Sequence, residues 1–472
     1  MSPKQEESNP LMVQFLCETE VNYKPSDLAI DQSELYFSAE ESQPGRNTEV
    51  KRNSRWCWVV LVAGFLTLSV LDGVGYSFGV LLDPLVAELG VGRGGISIVG
   101  SLQTGVYSIS GLIASKATSR YGTRKVCSFG NIIAALGLIL SSFSWDLPSL
   151  LLTYSVITGV GFGFMYIPAI VAVAEHFTER RSLALGICVC GTGIGTFVVA
   201  PLEAVILSSM GWRWTLVVLS GMCIICLACS ATMSPVQNED EEDGSTPIFY
   251  PGTKNRSLLQ QVGCCILGEE LFYHPNLPTF LIVALADVLG TLALFVPFTY
   301  LPELAESTGI LPTQAAFLIS AIGIASSVGR ILSGWIDDQP WSNPILLTGL
   351  VILGAAFQPV FLTWCSGYAS FLVFSCLYGL FTGVWIAACS PILLSILSLH
   401  LLPPAFGLMT AIQGLAALLG SPIAGLAVDY FQSSRIALLL STVCLSCSTS
   451  VFMLAYIQDR RTKHRMRYQE IL

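Results

Sequence analysis

Charged side chains are scarce in this chain: 12% of its 472 residues are Asp, Glu, Lys or Arg, where a soluble domain carries roughly a quarter. Histidine is rarer still, and His176, His274, His400 and His464 stand on or near predicted loops without clustering. No nucleophile elbow, zinc-ligand spacing or phosphate-cradling glycine loop occurs. A membrane enzyme would need convergent polar residues at one depth, and none are evident. These shortages exclude a soluble domain and a nucleic-acid binder, argue against an enzyme, and imply no cofactor and no metal. A secretory leader is missing too, because positions 1–50 hold no apolar core with a cleavage site. The first apolar span is therefore expected to serve as its own signal.

What the chain has in place of charge is apolar length. Hydrophobic residues make up 53% of it, and windows long enough to cross a bilayer fall near 56–82, 94–114, 126–144, 150–173, 183–206, 213–233, 278–300, 314–336, 345–365, 368–397, 405–428 and 435–457. Lys/Arg placement orients these twelve spans, since basic residues concentrate on the cytosolic side. Lys51, Arg52 and Arg55 precede the first span; Lys116, Arg120, Arg124 and Lys125 follow the second; Arg180 and Arg181 follow the fourth. Lys254 and Arg256 lie in the central loop, and Arg460, Arg461, Lys463, Arg465 and Arg467 follow the last span. Both termini are thus expected in the cytosol. Arg93, Arg213 and Arg435 fall on the other side, and Arg330 falls within a span.

The formal charge of −9 is local. Residues 1–50 hold ten acids against three bases, and Glu239, Asp240, Glu241, Glu242 and Asp243 form a further acidic run. Such segments read as solvated and disordered, with a binding tail as the alternative. Fifteen cysteines would suggest a disulfide framework, but most lie inside spans, where Cys serves as a small apolar residue. Cys264 and Cys265 in the central loop read as ordinary thiols, or alternatively as acylation sites. The sequon at Asn255 shares that loop and would never meet the glycosylation machinery.

The chain also repeats itself. Shifted by 221 residues, Ala184, Gly186, Gly193 and Pro201 fall on Ala405, Gly407, Gly414 and Pro422. The expected organisation is an acidic tail over 1–54, a six-helix bundle over 55–233, a central loop over 234–277, a second bundle over 278–457 and a basic tail over 458–472. Parallel halves of this kind describe a rocking transporter with its substrate between them near the midplane. Gly191 and Gly195, like Gly159 and Gly163, have the small-xxx-small spacing that lets helices approach closely. Arg180 and Arg181 would hold the fifth span at the inner interface.

The run His176-Phe177-Thr178-Glu179-Arg180-Arg181, followed by Leu183-Ala184, Gly186, Gly191 and Gly195, resembles the fifth-helix signature of the monocarboxylate transporters. Tyr121-Gly122 with Arg124-Lys125, Pro168-Ala169, Gly211-Trp212-Arg213, Val296-Pro297-Phe298, Leu301-Pro302 and Gly420-Ser421-Pro422 with Gly425 and Asp429 resemble the same family. The resemblance covers about 55–457, and only Trp56-Cys57-Trp58 remains of the first-helix signature. It implies an all-α membrane protein with twelve transmembrane helices in two pseudo-symmetric halves, the major facilitator fold. It also implies a plasma-membrane carrier of small organic monocarboxylates, for which some relatives need a single-span glycoprotein partner.

Moving a carboxylate through hydrocarbon calls for positive charge in the membrane. By the resemblance, Arg330 occupies the anchoring arginine position, and a guanidinium fork suits a carboxylate; the alternative is an arginine that snorkels to the interface. Proton-coupled relatives carry a lysine and an aspartate where this chain has Val80 and Ser326, so the usual coupling pair is absent. Asp72 and Asp287 are the other intramembrane acids that could balance Arg330, bind a cationic end of the solute, or carry a proton. Glu203 reads as interfacial. Phe78, Tyr166 and Trp385 are the aromatic candidates for shaping the pocket. With arginine and acids together, the alternative solute is a zwitterion such as creatine, carnitine or an aromatic amino acid, moved by a uniporter. A transporter-shaped solute sensor is the alternative of another class.

Overall fold

The computed structural model describes residues 55–233, 269–294, 296–362, 367–431 and 434–471. The acidic N-terminal segment, the acidic run at 239–243, the Asn255 sequon, and Cys264 and Cys265 lie outside the described residues. Among those described, every regular element is helical. Helix α1 (Arg55–Ser77) tightens into a 3₁₀ turn (Phe78–Leu81) and meets the short α2 (Leu82–Leu89). Then come α3 (Arg93–Tyr121), α4 (Thr123–Ser142) and a short α5 (Leu147–Leu150), which runs through a π-helical stretch (Leu151–Thr158) into α6 (Gly159–His176). Helix α7 spans Arg181–Ala231. The second half holds α8 (Glu269–Phe272), α9 (Leu277–Leu294), α10 (Val296–Ser307), α11 (Pro312–Asp337), α12 (Pro344–Leu362) and α13 (Tyr368–Ile396). It ends with α14 (Leu402–Phe431) and α15 (Ser434–Ile471), so residues expected as a tail after 457 continue the last helix.

Nine of these helical stretches are long and apolar enough to cross a membrane. Helix α7, with 51 residues, would measure about 75 Å if straight, against a hydrocarbon core of about 30 Å. It bends at Gly211, whose φ of 80° and ψ of 167° are essentially closed to side-chain-bearing residues. Two apolar windows therefore share one continuous element. Large apolar side chains such as Trp58, Ile113, Phe129, Ile225 and Phe357 are exposed, the arrangement a lipid solvent calls for.

Lipid removes the hydrophobic drive between helices, so close approach at small residues has to hold them together. A methyl group at Gly195 would lie 2.0 Å from the Ser69 carbonyl oxygen and one at Gly191 2.4 Å from that of Phe65, which is how α7 seats on α1. Gly159 and Gly163 press on α3 in the same way, at Gln103 and Ser110.

The repeat has a structural meaning. Gly186 and Gly193 of α7 meet α11 of the other half at Gly334 and Ser327; their repeat partners Gly407 and Gly414 of α14 meet α3 at Ser115 and Ser108. The contacted residues repeat as well, because Ser108 and Ser327, and Ser115 and Gly334, share one offset of 219. The halves thus touch along two symmetric seams, α7 on α11 and α14 on α3.

One end of the α7–α11 seam is tied by a cap. Helix α7 begins after Arg180, which adopts a left-handed conformation (φ 51°, ψ 38°) and offers no capping side chain. The amides of Ser182 and Leu183 donate instead to the two carboxylate oxygens of Asp338, each at 2.9 Å. An N-cap side chain would ordinarily satisfy these second- and third-position amides. Arg181 turns back, its Nε donating to the Phe177 carbonyl at 2.7 Å. Within the first half, Arg213 is a second clamp. Its guanidinium donates to Glu88 (2.9 Å) and to the Ser142 carbonyl (2.7 Å), and it lies over the rings of Trp145 and Trp212.

Candidate functional site

A cavity of roughly 150 Å³ lies between the halves, lined from α1, α3, α6 and α7 on one side and from α9, α11, α13 and α14 on the other. Its volume suits a molecule about as large as benzene and falls below the size of drug-like ligand pockets. Four of the expected site residues line it together with Arg330: Asp72, Tyr166, Asp287 and Trp385.

Arg330 is 9% exposed. Its side chain reaches across the seam, where Nη1 donates to the Val189 carbonyl at 3.1 Å and to the Thr192 hydroxyl of α7. Among the described residues its Nε has no hydrogen-bond partner. The guanidinium therefore faces the cavity rather than snorkelling toward an interface. The cause is local: Gly186 and Gly334 bring α7 and α11 so close that an arginine one turn from Gly334 meets backbone and hydroxyl acceptors of the opposite helix.

Asp287 is 3% exposed and fully engaged. Trp385 Nε1 donates to Oδ1 at 3.0 Å and Gln413 Nε2 to Oδ2 at 2.5 Å. The Trp385 ring packs on Gly290, one turn along α9, and this contact places the indole nitrogen at the acid. Asp72 is 6% exposed. Among the described residues, no ion pair joins it to Arg330, although the two act on each other electrostatically. Tyr76 and Tyr107 line the same part of the cavity. Tyr107 meets Tyr166 edge-on with ring centres 5.6 Å apart, and Tyr166 stacks on Phe406 at 5.8 Å.

Other expected residues stand elsewhere. Phe78 does not line the cavity; it is buried against Tyr154, with ring centres 5.0 Å apart, and over Gly100. Helical periodicity accounts for this: Asp72 and Tyr76 are four residues apart and share a face, while Phe78, two positions on, falls on the opposite side. Ser326 is buried in the α11–α13 contact, where its carbonyl meets Gly383, and likewise leaves the cavity wall. Glu203 is fully buried among its neighbours. The Ser77 hydroxyl stands beside it without reaching hydrogen-bond geometry. Gly186, Gly191 and Gly195 serve helix contacts, and Arg180 and Arg181 shape the turn before α7.

Sequence reading passed over Gln413, Tyr107, Thr192 and Phe406. A glutamine isolated in the apolar run Leu408–Leu419 is itself a signal, since a polar amide in hydrocarbon must find a partner. The aromatic residues carried none, because packing rings outnumber pocket rings. Among the described residues, no group of three or more His, Cys, Asp and Glu side chains stands ready to hold a metal ion.

Comparison with known proteins places this arrangement. A family model described as Major Facilitator Superfamily matches residues 60–357 and 283–469. Monocarboxylate transporter 12 of Xenopus laevis is 29% identical over 368 residues, covering 75% of this chain and 78% of that protein. Monocarboxylate transporter 13 of Rattus norvegicus is 28% identical, covering 78% and 82%. Monocarboxylate transporter 4 of Gallus gallus is 25% identical, covering 84% and 82%. Among solved structures, the proton:xylose symporter XylE bound to 6-bromo-6-deoxy-D-glucose superposes with a TM-score of 0.64 at 14% identity, covering 84% of this chain and 95% of that one. The transporter FucP in its outward conformation gives 0.63 at 13% identity, covering 85% and 99%.

Proposed function

From the premise that this chain belongs to the Major Facilitator Superfamily, we propose that it carries a small organic carboxylate, or a zwitterion containing one, by exposing the Arg330 cavity alternately to the two sides of a membrane. The observation that carries the reading is a buried guanidinium on the seam between the halves, facing a small cavity and held, among the described residues, by hydrogen bonds to neutral acceptors. An arginine placed there at the cost of desolvation is accounted for by an anionic cargo. The names of the curated relatives support a monocarboxylate. The twelve apolar windows support twelve crossings, with the two halves rocking about the α7–α11 and α3–α14 seams. Basic residues at both ends of the membrane domain support cytosolic termini, and the relatives support the plasma membrane. A single-span glycoprotein partner belongs to the same reading.

Coupling follows a different route from the lysine–aspartate pair of proton-coupled relatives. Val80 and Ser326 stand in those positions, and neither lines the cavity. Uptake of labelled lactate, pyruvate, creatine, carnitine and aromatic amino acids into oocytes tests the proposal, with and without an inward proton gradient, for the natural chain and Arg330→Ala. The expected outcome is one substrate class entering, lost in the variant and indifferent to the gradient. Full uptake in Arg330→Ala refutes the anchor, and binding without flux favours a sensor.

A further inference from the structure

The charges facing the cavity do not balance: it has one arginine and two aspartates. With both aspartates ionised, a simple monocarboxylate bound at Arg330 would leave the occupied site with two uncompensated negative charges. The two acids are also treated differently by their surroundings. Each oxygen of Asp287 receives a neutral donor, from Trp385 and Gln413, so its charge is dispersed and its lone pairs directed. Asp72 receives no hydrogen bond among the described residues and stands apart from Arg330. Tyr76, Tyr107 and Tyr166 share the cavity wall with it, and Phe406 extends the wall by stacking on Tyr166. An acid that receives no hydrogen bond among the described residues and shares its cavity wall with several aromatic side chains is a surrounding that organic cations prefer.

We propose that Asp72 with Tyr76, Tyr107, Tyr166 and Phe406 forms a cation subsite, so that the cargo is a short zwitterion whose carboxylate meets Arg330 and whose cationic nitrogen meets Asp72. This rests on the reading of the cavity as the solute site and narrows it. Asp287 is then a positioning residue that joins α9, α13 and α14 and holds no pole of the cargo. The separation between Arg330 and Asp72 is what admits the two poles; a structural ion pair would have closed it. A net charge of −1 on the empty site becomes −1 again when a neutral zwitterion fills it, so binding needs no compensating ion.

The test uses the full chain reconstituted in liposomes, with pyruvate, glycine, glycine betaine and choline as labelled probes. The zwitterions are expected to enter and pyruvate to enter poorly. A preference for glycine betaine over glycine assigns the subsite to methylated ammonium, and the reverse assigns it to a primary ammonium; either supports the proposal. Asp72→Asn is expected to raise the KM for the zwitterion about tenfold or more, the loss of a charge-assisted contact, and Tyr166→Leu several-fold. Because folding and expression affect both substrates alike, the deciding quantity is the zwitterion-to-pyruvate ratio within one variant, which falls in Asp72→Asn. Arg330-dependent uptake of pyruvate with the zwitterions excluded overturns the cation subsite and leaves the proposed function standing. A ratio unchanged by Asp72→Asn also overturns the subsite. If no probe enters and none shifts the thermal midpoint of the purified protein, the cavity reading and the subsite fail together.

Discussion

Replacing Asp338 with alanine is expected to loosen the seam between the halves without unfolding either one. Asp338 accepts two amide hydrogen bonds at 2.9 Å from the first turn of α7, and that helix has no local cap. Hydrogen bonds to charged groups contribute about 1.5–3 kcal/mol each, and an N-cap about 0.5–2 kcal/mol. Asp338 is only half-buried, and water takes up the freed amides, so the lower figure applies to the pair, about 1–2 kcal/mol. Because donor and acceptor lie on opposite halves, that energy favours the conformation in which this end is shut. Removing it shifts the equilibrium toward the open conformation about 5–30-fold. Cys190 reports the change: it is buried, and it lies near Arg330 and Ser327 of the facing helix. Its alkylation by a membrane-impermeant maleimide, read residue by residue by mass spectrometry, is expected to accelerate by that factor in Asp338→Ala. Cys223, buried within the first half, should not change. Equal rates at Cys190 in both proteins, with folding intact, would show that the cap does not hold the seam.

Four further outcomes follow from the same geometry. Gly211→Ala forces a side chain into φ 80°, ψ 167° and is expected to cost about 1–3 kcal/mol, read as a lowered thermal midpoint in detergent. Gly195→Val drives a branched side chain into the Ser69 carbonyl; overpacking of about 1–3 kcal/mol or more should appear as a poorly folded fraction on size-exclusion chromatography. Gln413→Leu leaves one oxygen of Asp287 without its donor, with a loss of about 1–3 kcal/mol that Asp287→Asn in the same chain should partly relieve. Hydrogen bonds from Trp212 and then Arg213 hold Glu88 below the ordinary glutamate range. A depressed carboxylate contributes stability above its unfolded pKa and loses it as pH falls through the folded one. The thermal midpoint of the natural chain should therefore drop on acidification by more than that of Glu88→Gln; equal drops would remove Glu88 from the account.

Composition alone determined the solvent of this protein, since apolar runs with so few charges leave the backbone no alternative to helices in lipid. The glycine spacing at Gly191 and Gly195 was likewise legible, because a close helix contact in hydrocarbon has few other ways to form. So were Arg330 and the two aspartates, whose rarity within spans marks them. What the sequence could not say was which way each side chain points. Phe78 packs on Tyr154 and Gly100 outside the cavity, and the α11–α13 contact removes Ser326. Glu203 stands near one end of its span, and its complete burial there depends on neighbouring elements. The partners of the charged groups were equally hidden. Gln413 lies 126 residues from Asp287, Thr192 lies 138 from Arg330, and Asp338 caps a helix that starts more than 150 residues before it. Helices in lipid satisfy their own backbone and advertise themselves one at a time. Their side-chain chemistry is completed only across the seams, where residues distant in sequence meet at a single depth, and that meeting is a property of the tertiary structure.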